Sequence, residues 1–162
     1  MGRLGLPESP HSTVFKEAVA ILKGDASLRR VVATWRTWSG VPEDRLEVSS
    51  TQIPAVRLTP GQSPDTFYGP SGMQGAILIL AEVAVPGTNA CELYDLWHAV
   101  RAAFYPSDDT ACQAIRDRLI AAGAFTGEAV FPLPRMDVVA DADNAFLVGS
   151  GQIRIDLRTL TF

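Results

Sequence analysis

The chain reads as a single α+β domain, an antiparallel or mixed β-sheet of about four strands packed with two to four helices. Three observations predict this. Gly75 to Phe104, GAILILAEVAVPGTNACELYDLWHAVRAAF, is an apolar strand that runs straight into an amphipathic helix, with a capping signal at the join. The segments follow in the order helix, helix, strand, strand, helix, helix, strand, strand, and two strand pairs separated by helices favour a sheet with helices on one face. Finally, 162 residues with 47% hydrophobic and 20% charged side chains suit one ordinary ordered domain.

Residues 1 to 11 hold Gly2, Gly5, Pro7 and Pro10 and read as an extended arm, which leaves 12–162 as the domain. Ser12 or Thr13 offers a side-chain oxygen as a helix cap. Val14, Ala18, Ile21 and Leu22 then share one helical face that stops near Gly24. Asp25 can cap a second short helix, with Leu28, Val31 and Val32 turned inward. Trp35 and Trp38, in TWRTW, suit either a helix end or a short strand. Val41 to Gln52 is polar and reads as a connection.

IPAVRLTP, Ile53 to Pro60, is a strand of about six residues, with Val56 and Leu58 on one side and Arg57 and Thr59 on the other. A proline at each end discourages a long central strand. GQSPDTFYGPSGMQ, Gly61 to Gln74, is a long loop or a hairpin extension. In the next segment Ile77, Ile79, Ala81, Val83 and Val85 fall on one face and Ala76, Leu78, Leu80, Glu82 and Ala84 on the other. Apolar residues on both faces predict a strand covered twice, by helices on one side and by a neighbouring subunit on the other.

Asn89 and Glu92 form a capping-box pair, and Leu93, Leu96, Trp97, Val100 and Phe104 make a stripe of period 3.6. Pro106 ends that helix. Ser107, Asp108 and Asp109 offer caps for the next, which carries Cys112, Ile115 and Leu119 inward and stops at a left-handed Gly123. EAVFPLPRMDVV, 128 to 139, reads as an edge strand, since Pro132 and Pro134 lack donors. DADN, Asp141 to Asn144, makes a turn. Phe146 to Thr159 is a last strand or pair of strands, with Gly149-Ser150-Gly151 as a bulge or tight turn and Ile153, Ile155 and Leu157 alternating with Arg154, Asp156 and Arg158.

Several function classes lack support. The net charge of −4 argues against a dedicated nucleic-acid binder, and Arg29, Arg30, Arg36, Arg116 and Arg118 form no dense run. Cys91 and Cys112 read as two buried thiols in a reducing compartment, with a disulfide between them as the alternative. The apolar run Ala76 to Val85 is too short to span a bilayer, and MGRLGLPESPHS has no hydrophobic core region of a secretory signal. A soluble protein that assembles in the cytoplasm is the expectation. His11 lies in the arm, and His98 stands one position off the apolar stripe, a structural or interface place. Ser71 lacks the flanks of a nucleophile elbow, Gly149-Ser150-Gly151 precedes no helix, and Asp141 with Asp143 lacks the later ligands of a calcium loop. No catalytic, cofactor-binding or metal residue is assigned, and an enzyme is not expected. The enzyme alternative, or a small ligand-binding domain, would need a pocket lined by His98, Asp95 and Glu92.

What stands out is apolar excess. Trp35 and Trp38, with Phe67, Tyr68 and Met73 in the Gly/Pro-rich stretch, are the candidate assembly interface.

The N-terminal helix ending in ILKGDASLRRVV, the strand IPAVRLTP, GAILILAEVAVPG leading into ACELYDLWHAVRAAF, and the final QIRIDLRT together resemble the tail terminator and tail-completion (neck) proteins of long-tailed bacteriophages. The resemblance is one of element pattern over residues 12 to 158. It implies a small α+β subunit of the virion, without catalytic residues or cofactor, that closes into a homo-oligomeric, hexameric ring. Such a ring caps the tail tube, meets the head-side connector, and lets genomic DNA pass through its channel without specific binding. Its contacts would be heterologous and self-closing. A head-completion adaptor on the portal side is the nearest alternative. Neither the Trp pair nor the arm matches a family feature.

Overall fold

The computed structural model describes residues 5–37, 53–61, 66–67, 73–131, 139–141 and 146–158. Within them the predicted α+β architecture is present: a mixed sheet with helices on one face. The first helix, α1 (Pro10–Gly24), begins earlier than the sequence suggests. Ser9, not Ser12 or Thr13, is the cap, its side chain accepting from the Ser12 N–H. Pro10 explains the shift, because a proline in the first turn needs no N–H partner and arrives with helical φ. Thr13 instead donates its hydroxyl to the Ala122 carbonyl of another helix. Val14, Ala18, Ile21 and Leu22 are buried as expected. Asp25 caps α2 (Ala26–Val31), accepting from the Leu28 N–H at 2.9 Å.

TWRT is a strand, β1 (Thr34–Thr37), paired in parallel with β2 (Ala55–Pro60). Despite its prolines β2 lies between two neighbours, which its six residues allow. Thr66–Phe67 (β3) and Met73–Gln74 (β4) pair antiparallel, the pairing a hairpin extension requires, while 62–65 and 68–72 lie outside the described residues. The 11-residue β5 (Ala76–Pro86) pairs antiparallel with β2 on one side. Two helices follow, α3 (Ala90–Phe104) and α4 (Asp109–Ala122), capped by the side chains of Asn89 and Asp108. Gly123, at φ 121°, reverses the chain directly into β6 (Ala124–Val130). That strand starts before the expected residue 128 and lies at the sheet edge, as predicted. Gly127, at φ 70°, interrupts its register, and a Cβ there would sit 2.5 Å from the Arg116 carbonyl oxygen. A short β7 (Val139–Asp141) takes Asp141 out of the predicted turn. The connection at 41–52, Pro132, Pro134 and residues 142–145 lie outside the described residues.

The last strand, β8 (Phe146–Leu157), corrects the sequence reading most sharply. Gly149, Ser150 and Gly151 are neither turn nor bulge: they pair in unbroken register with Val83, Glu82 and Ala81 of β5. The sheet order is β1-β2-β5-β8-β6, with β7 on the start of β8. The reason for glycine is space. The Trp97 indole of α3 lies against Gly151, where a Cβ would fall 2.3 Å from its Cη2 atom. Around this contact the core gathers Val14, Leu22 and Leu28 from the first two helices, Leu93, Val100 and Phe104 from α3, and Ile79, Ile153 and Ile155 from the sheet. Burying each such side chain is worth about 1.5–3 kcal/mol. The ion pair that joins α1 to α4, Glu17–Arg118 at 2.6 Å, is half-exposed and adds about 0–1 kcal/mol. Packing therefore holds the helices on the sheet.

Beyond Trp97, Phe131 meets the Trp97 and Phe104 rings edge-on, with centroids 6.0 and 6.1 Å away. Tyr105, just past α3, donates its hydroxyl to the Ala129 carbonyl at 2.6 Å. Burial, seconded by the Glu128 carboxylate, pushes its phenol above the usual tyrosine range.

Two outcomes test this packing. Gly151→Ala should destabilise the fold by about 1–3 kcal/mol in urea unfolding, through overpacking. The cost should shrink in a Trp97→Leu background, because the two positions share one contact. For Tyr105, a folded-state pKa above the unfolded one means stability is intact below the ordinary tyrosine pKa and falls as pH rises through the folded value. Tyr105→Phe should flatten that alkaline loss in pH-dependent unfolding while costing about 1 kcal/mol at neutral pH from the missing hydrogen bond.

Candidate assembly surface

Register dictates what each sheet face carries. Helices α1 and α3 pack on the face of Val56, Leu58, Ile79, Ala81, Val83 and Ile153. The opposite face therefore shows the alternate residues, in rows that cross the sheet: Ala55, Ala84 and Val148; Arg57, Glu82 and Ser150; Thr59, Leu80 and Gln152; then Leu78 beside Arg154. One end of this face is closed by a small cluster of Ala55, Ala84 and Phe146, with Ile53 and Val148 packed on it. Towards the other end the cover stops. Leu80 is 40% exposed, Leu78 is half-buried, and Gln152 and Arg154 are exposed.

At the centre Arg57 Nε lies 3.2 Å from the Glu82 carboxylate on the neighbouring strand, and both side chains are largely shielded from water. Opposite charges directly across a sheet stabilise the pairing. Arg154 and Asp156 make a second, more exposed pair along β8 at 2.9 Å. The face thus has an apolar spot, Leu78 and Leu80, framed by matched charges. Along β6, Phe125 and Val130 add exposed apolar surface.

The candidate interface residues fall in different places. Trp35 is half-buried and packs against the main core on the helix side of β1. Phe67 and Met73 are register partners in the β3–β4 hairpin, which brings two of the five together. Trp38 and Tyr68 lie outside the described residues. Leu80 was not singled out by sequence reasoning, although the alternation of its strand places it on the second face. Of the groups an enzyme would need, Glu92 and Asp95 line a cavity of about 330 Å³ with Leu28, Val31 and Leu96, while His98 is exposed on α3 and does not line it. Among the described residues no group of His, Cys, Asp or Glu is placed to hold a metal ion, and no helix is long and apolar enough to cross a membrane. Cys91 and Cys112 are free thiols, but Cys91 is exposed and Cys112 half-buried, so they are not the two buried thiols expected.

A chain described as "Virion of native gene transfer agent (GTA) particle" is similar in structure to this one. The match covers 88% of this chain and 92% of that chain, at 16% sequence identity and a TM-score of 0.48. A likeness of that order carries no role across. No protein-family model matches the sequence, and no curated protein does.

The central ion pair of this face has a measurable share in stability. Glu82→Ala should cost about 1–3 kcal/mol in urea unfolding, because it removes a carboxylate paired with a shielded guanidinium. The exposed Asp156→Ala should cost under about 1 kcal/mol in the same assay.

Proposed function

We propose that this chain is a structural subunit of a phage-like virion, a tail terminator whose copies close into a hexameric ring over the end of the tail tube and meet the head-side connector. The observation that carries the reading is the second sheet face. Strands β5 and β8 pair over 11 residues, yet α1 and α3 cover only one side of them. A strand as apolar on both faces as β5 is ordinarily covered on both. The exposed Leu80 and half-buried Leu78, framed by Arg57–Glu82 and Arg154–Asp156, offer a neighbour an apolar contact with a polar rim. The element pattern shared with tail terminators points to the same kind of assembly.

In this reading the β3–β4 pair, with Phe67 and Met73, extends towards the adjoining subunit or the tube, Trp35 on β1 marks the sheet edge nearest the next copy, and Tyr68 and Trp38 belong to the same interface. The assembled chain belongs to the tail or neck of the virion. The net charge of −4 suits a channel through which DNA slides without sticking.

Light scattering behind size exclusion, with negative-stain imaging of the large species, tests the reading. The expected result is a closed ring of about six copies, its closure following from heterologous contacts. Leu80→Glu should shift the mass towards monomer with an unchanged melting temperature, and Phe67→Glu should weaken assembly in the same way. Full rings from both variants would sink the assignment of this surface, and a chain that stays monomeric both alone and with purified tail tubes would sink the ring.

A further inference from the structure

The cavity between α2, the end of β5 and α3 has a marked chemistry. Its wall is apolar, from Leu28, Val31, Val85 and Leu96, and the carboxylates Glu92 and Asp95 stand in the same wall. At about 330 Å³ it lies near the lower end of the roughly 300–1,000 Å³ of ligand pockets, room for one or two aliphatic side chains. Val31 is exposed there at 47%. The site calls for an aliphatic group with a cation close beside it.

The chain itself carries such a segment. Arg3-Leu4-Gly5-Leu6-Pro7 carries two leucines and an arginine within five residues. Leu6 is 62% exposed, more than any other large apolar side chain among the described residues. Within one chain Leu6 does not line the cavity. Glu8, two residues on from Leu6, pairs with Lys16 at the first turns of α1, beside Thr13, Glu17 and Arg118. The cavity lies past the other end of α1, where α2 follows, and 15 helical residues separate the two ends by about 22 Å.

We propose that the arm of one copy docks in this cavity of the next, with Leu6 against Leu28, Val31 and Leu96 and the Arg3 guanidinium at Glu92 and Asp95. The contact joins opposite ends of the subunit, so it is heterologous and propagates around a closed array. It deepens the ring reading and rests on it for the identity of the partner, a second copy of this chain.

The test uses full-length Leu6→Asp chain, whose own arm is disabled so that its cavity is unfilled at any concentration. A fluorescent peptide of residues 2–9, GRLGLPES, is titrated into it by anisotropy. Saturable binding is expected, weakened about tenfold or more when Val31→Glu is added to the receptor, equivalent to about 1.4 kcal/mol. An Arg3→Glu peptide should bind as poorly, and should recover on a receptor carrying Asp95→Lys. If Val31→Glu fails to fold, the charge exchange decides alone. Absence of binding, or binding indifferent to both changes, overturns the docking. Light scattering on the unaltered chain judges the ring independently: rings without peptide binding retire only the arm contact. Cavity-dependent binding by a chain that never assembles retires only the ring.

Discussion

The indole of Trp97 resting on the bare backbone of Gly151 is the contact on which the rest of this domain depends. It sets how closely α3 approaches the sheet, and it does so at the middle of β8, the strand between β5 and β6. A residue with a Cβ at 151 would push the helix outward and open the layer that Leu93, Val100 and Phe104 fill. Opposite Gly151 stands Ala81, another small residue, so the sheet presents a hollow where the largest side chain of the helix needs one. The edge-on rings of Phe131 and Phe104 then continue the same packing towards the end of β6.

This contact also shows why parts of the fold were legible in the sequence and others were not. Helix α3 was readable because its stripe repeats at the helical period and Asn89 marks its start, both local signals. The Gly149-Ser150-Gly151 run misleads because glycine commonly signals a turn, whereas here its cause is a tryptophan distant in sequence. Ser12 and Thr13 are good cap residues, but Pro10 moves the helix start to Ser9 and frees Thr13 to tie α1 to α4. The start of β6 was obscured by the irregularity at Gly127, which breaks the alternation that betrays a strand. As for the surface, a two-faced strand at 76–86 was evident from alternation, but which outward residue stays open, Leu80 and not Ala84, depends on the cluster with Ala55 and Phe146. That cluster is assembled from three strands and has no sequence signature.

Two kinds of interaction divide the work in this domain. Apolar packing fixes the helix side, where the side chains interlock and tolerate little change in volume. The second sheet face is organised by charge: Arg57 with Glu82 across strands and Arg154 with Asp156 along one. Matched pairs discourage indiscriminate sticking, since a partner must satisfy or leave undisturbed each charge around Leu80. Such a surface can stay apolar at its centre and still select what covers it.

The sheet order also governs how the domain comes into being during synthesis. β8 is the last described strand along the chain, yet it occupies an inner place, between β5 and β6. When β5 and the helices have left the ribosome, one long edge of β5 has no partner until residues 146–157 emerge. For that interval the nascent chain carries an open, apolar strand edge, the kind of template that recruits strands from other copies. Closure by β8 both completes the core beneath Trp97 and withdraws that edge from other nascent chains, so the moment the domain folds is also the moment it ceases to be an aggregation hazard.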